Sequence, residues 1–247
     1  MMFMEFGDKE LPTIILLHGG GLSYWSLLSI VEGMKEDYHV VTPIIEGHGD
    51  NGNETFISIE QSADNLLAYI DRVCNGKVFL LGGLSLGAQI VIEVLSRRDN
   101  VSQYAILESP LVIPIKGLTT LTVPMFKLFY GLVKVKWFSK KQGKALFVPE
   151  NMFERYYYDS QKITKQSLIN ITLSNGNYVL KRDIENTKAK VMIIVGDKER
   201  GIMKKSAQTL NSKIPNSKLY IAKKMKHGEL SLAYPTEYIR TIEEFIS

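Results

Sequence analysis

The chain has 247 residues, 45% of them hydrophobic and 23% charged, which is enough apolar material for one large core. Its formal net charge of +4 comes from 30 basic and 26 acidic residues, too mild and too mixed a balance to argue for nucleic acid. A single cysteine, Cys74, excludes an internal disulfide and fits a reducing compartment. The first residues lack a cationic stretch followed by an apolar one, so no secretory signal is expected. No uncharged apolar run reaches about 18 residues, so no membrane span is expected either, and the cytoplasm is the default.

Short runs rich in Val, Ile and Leu recur along the chain, and helical patterns lie between them. The runs fall at 13–17, 38–42, 77–81, 104–107, 191–195 and 218–221. Several are apolar at consecutive positions, as in strands covered on both faces. The clearest helix is 58–74, where Ile59, Ala63, Leu66, Leu67, Ile70, Val73 and Cys74 share a stripe. Ser58 with Gln61 three residues on makes a capping box for its start. Helices are also expected at 86–97, 204–213 and 236–246, the last behind Pro235. This alternation predicts an α/β fold with a mostly parallel sheet and helices on both faces. The stretch 109–187 breaks the rhythm. Pro110, Pro114, Pro124 and Pro149 punctuate aromatic-rich helical pieces there, which reads as a helical insertion between core segments 1–108 and 188–247.

Three local patterns carry chemistry. Gly83-Leu84-Ser85-Leu86-Gly87 joins an apolar strand to a helix. A serine on so tight a turn stands clear of the sheet, and glycines two positions either side relieve the crowding. The following helix presents its positive end to the hydroxyl. His18-Gly19-Gly20-Gly21 directly follows the first clear strand. Its backbone N–H groups can face an oxyanion, with Gly20 and Leu86 as the donor pair. The loop lacks the glycine spacing and the Gly-Lys-Ser/Thr ending of nucleotide sites.

His227 is the third. A serine hydroxyl needs a base, and imidazole suits that task near neutral pH. Of the four histidines, His18, His39 and His48 all precede the serine; only His227 fits the chain order serine, acid, histidine. The acid that orients the imidazole is sought after the penultimate strand, in Gly196-Asp197-Lys198-Glu199. Glu199 is favoured over Asp197, and Glu108 is an outside candidate.

These motifs resemble those of the α/β-hydrolase superfamily, particularly its compact bacterial esterase, lipase and C–C hydrolase branches. The likeness covers nearly the whole chain. His18-Gly19-Gly20-Gly21 with Trp25 looks like that family's oxyanion loop and the aromatic after it. Gly47-His48-Gly49 looks like its next loop, the Ser85 turn like its nucleophile elbow, and His227-Gly228 like its histidine loop. The resemblance implies a sheet of about eight strands, with a helical lid inserted after the sixth. It also implies a serine hydrolase that needs no metal or organic cofactor, most simply a carboxylesterase acting on a small ester or acyl substrate. Thioester or C–C bond hydrolysis would use the same parts, and a non-catalytic binding protein is the competing class. Substrate contacts are expected from Gly21, Trp25, Phe126, Phe129 and Tyr130. Three features depart from the pattern: Ile44 replaces a usual aspartate, the acid position holds glutamate, and the N-terminal hairpin is short.

The expected lid has an uneven charge. Residues 109–149 hold seven lysines (116, 127, 134, 136, 140, 141 and 144) and no acid. The plain reading is a solvated lysine face over an apolar underside. The alternative is a surface for an anionic carrier or an anionic lipid layer.

Overall fold

The computed structural model describes residues 1–247, and its centre is a sheet of seven strands. These are β1 (Met2–Phe6), β2 (Thr13–Leu17), β3 (His39–Ile44), β4 (Val78–Leu84), β5 (Ser102–Glu108), β6 (Lys190–Gly196) and β7 (Ser217–Ala222). Their order across the sheet is β1-β3-β2-β4-β5-β6-β7. All neighbours run parallel except β1, which pairs antiparallel with β3. About eight strands were expected. Only one antiparallel strand precedes β2, which gives seven and puts the helical insertion after the fifth strand rather than the sixth.

Helices cover both faces, as the two-sided apolar strands require. One face carries α2 (Ile59–Val73), α3 (Leu86–Arg97) and α8 (Gly201–Lys213), whose Leu66, Val94 and Leu210 pack with Ile15, Leu81 and Ile193 of the sheet. The other carries α1 (Leu28–Met34), the short α9 (Glu229–Ala233) and α10 (Pro235–Ile246). There Ile30, Leu230 and Ile242 pack with Leu16, Leu80 and Met192. Alternate residues of one strand thus feed opposite cores, the geometric consequence of the pleat. Ser58 caps α2 by accepting from the Gln61 N–H at 3.2 Å.

Four helices lie between β5 and β6: α4 (Leu118–Val133), α5 (Lys136–Ala145), α6 (Phe153–Lys162) and α7 (Lys165–Asn177). α4 and α5 are bent by 106° to one another. They stand over the carboxyl end of the sheet, tied there by side chains. Asn170 donates to the Phe56 carbonyl at 2.8 Å, and Gln89 on α3 donates to the Asn175 carbonyl at 2.9 Å. Tyr178 and Ile184, after α7, already pack against the α3 side of the core. No single helix is long and apolar enough to cross a membrane.

Candidate active site

The strand order reverses between β2 and β4, and in open α/β sheets the crevice beyond the strand ends at such a point is the natural ligand site. Two loops meet there. The β4–α3 turn holds Ser85 at φ 52°, ψ −109°, a conformation that L-residues rarely adopt. The flanking glycines are steric necessities. A Cβ on Gly83 would lie 2.4 Å from the Gly87 carbonyl carbon, and one on Gly87 would lie 2.6 Å from the Leu17 oxygen. α3 therefore passes close over the end of β2, with Ser85 at its N-terminus.

The loop after β2 completes this corner. His18 is fully buried, and burial, with His48 beside it, pushes its pKa down to about 3. Neutral, it donates from Nδ1 to the Gly19 carbonyl at 2.9 Å and accepts the Ile45 N–H on Nε2 at 3.2 Å. It thus pins the glycine loop to the end of β3. The Gly20 N–H donates to no protein acceptor, and the Leu86 N–H, first in α3, has no intrahelical acceptor. The two residues adjoin: a Cβ on Gly20 would sit 3.8 Å from Leu86 Cβ.

The turn after β6 and the loop after β7 supply a carboxylate and an imidazole. Gly196 lets these segments touch, since a Cβ there would lie 2.3 Å from the Met225 oxygen. The Lys198 N–H donates to that same oxygen at 3.0 Å. Glu199 and His227 then meet, Nδ1 to Oε2, at 2.8 Å. With Nδ1–H donating to the carboxylate, Nε2 keeps the lone pair that a base needs. The other carboxylate oxygen accepts from the Gly196 N–H and the Ser109 hydroxyl, both at 2.8 Å. Burial pushes the Glu199 carboxyl up, but His227 and these donors outweigh it and hold the group below its ordinary 4.5.

It is Glu199, not Asp197, that meets the imidazole; Asp197 leaves Oδ1 buried without a partner. Glu108 is turned away as well. Its carboxyl takes the Ser231 N–H at 3.3 Å, and burial lifts its pKa to about 7. Ser109, beside it, gave no signal in the sequence beyond its place at a strand end. Its hydroxyl donates to Glu199 and accepts the Gly228 N–H at 3.2 Å, so it fastens the acid turn to the histidine loop.

Ser85 and His227 line one cavity of about 450 Å³, a size suited to a small-molecule ligand. The Ser85 hydroxyl makes no hydrogen bond within the protein. Gly20 and Gly21 form part of the wall near it, and Phe126 lies on the wall that the four insertion helices supply. The expected contacts at Trp25, Phe129 and Tyr130 are not there. Trp25 is 4% exposed and packs with Leu22, Leu84 and Tyr156. Phe129 is 51% exposed and is not part of the cavity wall, and Tyr130 spends its hydroxyl on the Ile163 carbonyl at 2.8 Å. In their place the cavity has Ile115, Leu118, Val133 and Ile171, with the polar His48 and Asp159. No group of three or more His, Cys, Asp or Glu side chains is placed to hold a metal ion.

A mostly parallel sheet, a strained serine on a strand-to-helix turn and a Glu–His pair from the last two strand ends define an α/β hydrolase. The chain belongs to the serine aminopeptidase S33 family of hydrolases, whose sequence profile matches residues 8–231. Among solved structures, the chain is similar to a bromoperoxidase from Bacillus anthracis, with 17% identity, TM-score 0.82, and 99% of this chain and 94% of that one covered. It is also similar to an esterase from Exiguobacterium antarcticum (15%, TM-score 0.81, 99% and 94%). A thermophilic esterase from Thermogutta terrifontis gives 15%, TM-score 0.78, with 99% and 92% covered. At these identities the likeness is one of fold. No curated protein sequence matches the chain.

Proposed function

We propose that the chain is a serine hydrolase that cleaves a carboxylic ester through an acyl-enzyme on Ser85. The observation that carries this reading is the 2.8 Å Glu199–His227 hydrogen bond, with the imidazole on the wall of a cavity that Ser85 also lines. His227 Nε2 takes the hydroxyl proton as Ser85 Oγ attacks the ester carbonyl. The Gly20 and Leu86 N–H groups hold the resulting oxyanion. Collapse breaks the C–O bond, and the imidazolium returns its proton to the leaving alcohol. Water then attacks the acyl-enzyme with His227 again as base, releasing the acid and restoring the serine. The apolar wall formed by Leu118, Phe126, Val133 and Ile171 suits an acyl chain. Esterases among the similar folds favour an ester over the peptide bond that the family description names.

A fluorophosphonate probe should label Ser85 and leave Ser85→Ala unlabelled. p-Nitrophenyl esters of graded acyl length should be cleaved by the wild type and not by the variant. A folded wild type that neither labels nor cleaves esters, thioesters or aminoacyl anilides would identify the chain as a binding protein instead.

A further inference from the structure

α4 has two apolar faces. The inner one sends Leu118, Phe126 and Val133 into the cavity wall. The outer one carries Leu121 (70% exposed), Met125 (44%) and Leu128 (74%). These three fall at i, i+4 and i+7, one side of the helix, with Phe129 along their edge. Trp137, the second residue of α5, is 65% exposed. Lys140, Lys141 and Lys144 share its face at the same spacings, and all three are exposed. Soluble surfaces scatter single apolar side chains, whereas a contiguous stripe of large ones marks something that covers it.

Charge identifies what covers it. Lys116, Lys127, Lys140, Lys141 and Lys144 make no ion pair, while Lys136 is already paired with Glu154 at 2.7 Å. A second copy of the chain would bring three more unpaired cations, its own Lys140, Lys141 and Lys144, to the same surface. An anionic lipid layer supplies both complements at once, headgroup charge for the lysines and acyl chains for Leu121, Leu128 and Trp137. Long lysine side chains reach the headgroups while their methylenes rest on the apolar zone.

We propose that the outer face of α4 and α5 is a docking surface for an anionic lipid bilayer. Docking would set the cavity wall directly against the layer, since α4 serves both surfaces. It goes beyond the ester-hydrolase reading and is measured without turnover, so the two fail separately.

The test is co-sedimentation of the full chain with vesicles of phosphatidylcholine alone and of phosphatidylcholine mixed with phosphatidylglycerol. Wild type should bind the mixed vesicles, release in high salt and ignore the neutral ones. The variant K140Q/K141Q/K144Q should lower the partition coefficient about 100-fold, at the usual worth of a lysine near an anionic surface. L121Q/L128Q should lower it at least about tenfold. None of these five residues lines the cavity, so short-ester cleavage and the melting temperature should stay at wild-type values. Absence of vesicle binding, equal binding to neutral vesicles, or full binding by the lysine variant would overturn the proposal. So would a solution dimer that buries the stripe, or retention by an acidic carrier protein in place of vesicles.

Discussion

The indole N–H of Trp25 donates at 2.7 Å to a carboxylate oxygen of Asp159, 134 positions further along the chain. This bond joins the segment after the glycine loop to α6. Arg155 approaches the same carboxylate, with Nε 3.3 Å from that oxygen. Burial pushes the Asp159 carboxyl up, and the indole and the guanidinium resist that shift.

Trp25→Phe keeps the ring packing against Tyr156 and removes only the donor. The expected cost is about 1.5–3 kcal/mol, the worth of a hydrogen bond to a buried charge. Thermal melts should show it, and limited proteolysis should open α6 before the sheet. Unchanged melting and protease resistance would refute the tie.

The two acid candidates separate by mutation. Glu199→Gln keeps the shape and loses the charge, so the imidazole is free to take the wrong tautomer; kcat should fall by about 10⁴. Asp197→Asn should change kcat less than about threefold, because its carboxyl does not touch His227. Steady-state kinetics on one ester decides between them, and the reverse pattern would move the acid to Asp197.

Glu108 makes stability depend on pH. Its folded pKa is about 7, against an ordinary 4.5, because burial penalises the charged form. Between those values the unfolded carboxyl loses its proton while the folded one keeps it. Stability therefore falls as pH rises through this window and levels off above it. From about pH 4 to about pH 8 the loss is about 3 kcal/mol. Glu108→Gln should gain on the wild type by that amount at the higher pH and match it at the lower. Urea melts at both pH values check the sign.

Gly87 tolerates no side chain. A Cβ would meet two backbone oxygens, Leu17 at 2.6 Å and His18 at 2.7 Å, and neither can swing aside. Gly87→Ala should cost at least about 3 kcal/mol, or leave no soluble protein. A normal melt would show that α3 does not pass as close to β2 as described.

Much of this architecture was legible in the chain. Six strands and the four helices expected in the core fall where their apolar runs and caps put them, because a two-sided strand and a capped amphipathic helix leave local signatures. β1 and α1 did not. α1 has only seven residues, too short for its period to show, and β1 is a strand of exposed and half-buried residues on the sheet edge. The Ser85, His227 and Glu199 segments were readable from glycine spacing and chain order. What the sequence hid was direction. Tyr130 lies one turn from Phe126 on α4, yet its hydroxyl is drawn off by the chain between α6 and α7. Ser109 and Asp159 matter through partners 90 or more positions away, and no local pattern reports that.

In the proposed reaction the backbone angles of Ser85 set catalysis against folding. An L-residue held at φ 52°, ψ −109° costs about 1–3 kcal/mol, which glycine would not incur. Ser85→Gly should therefore melt higher than the wild type while losing all turnover. The chain would be sturdier without the one oxygen atom that the proposed reaction needs.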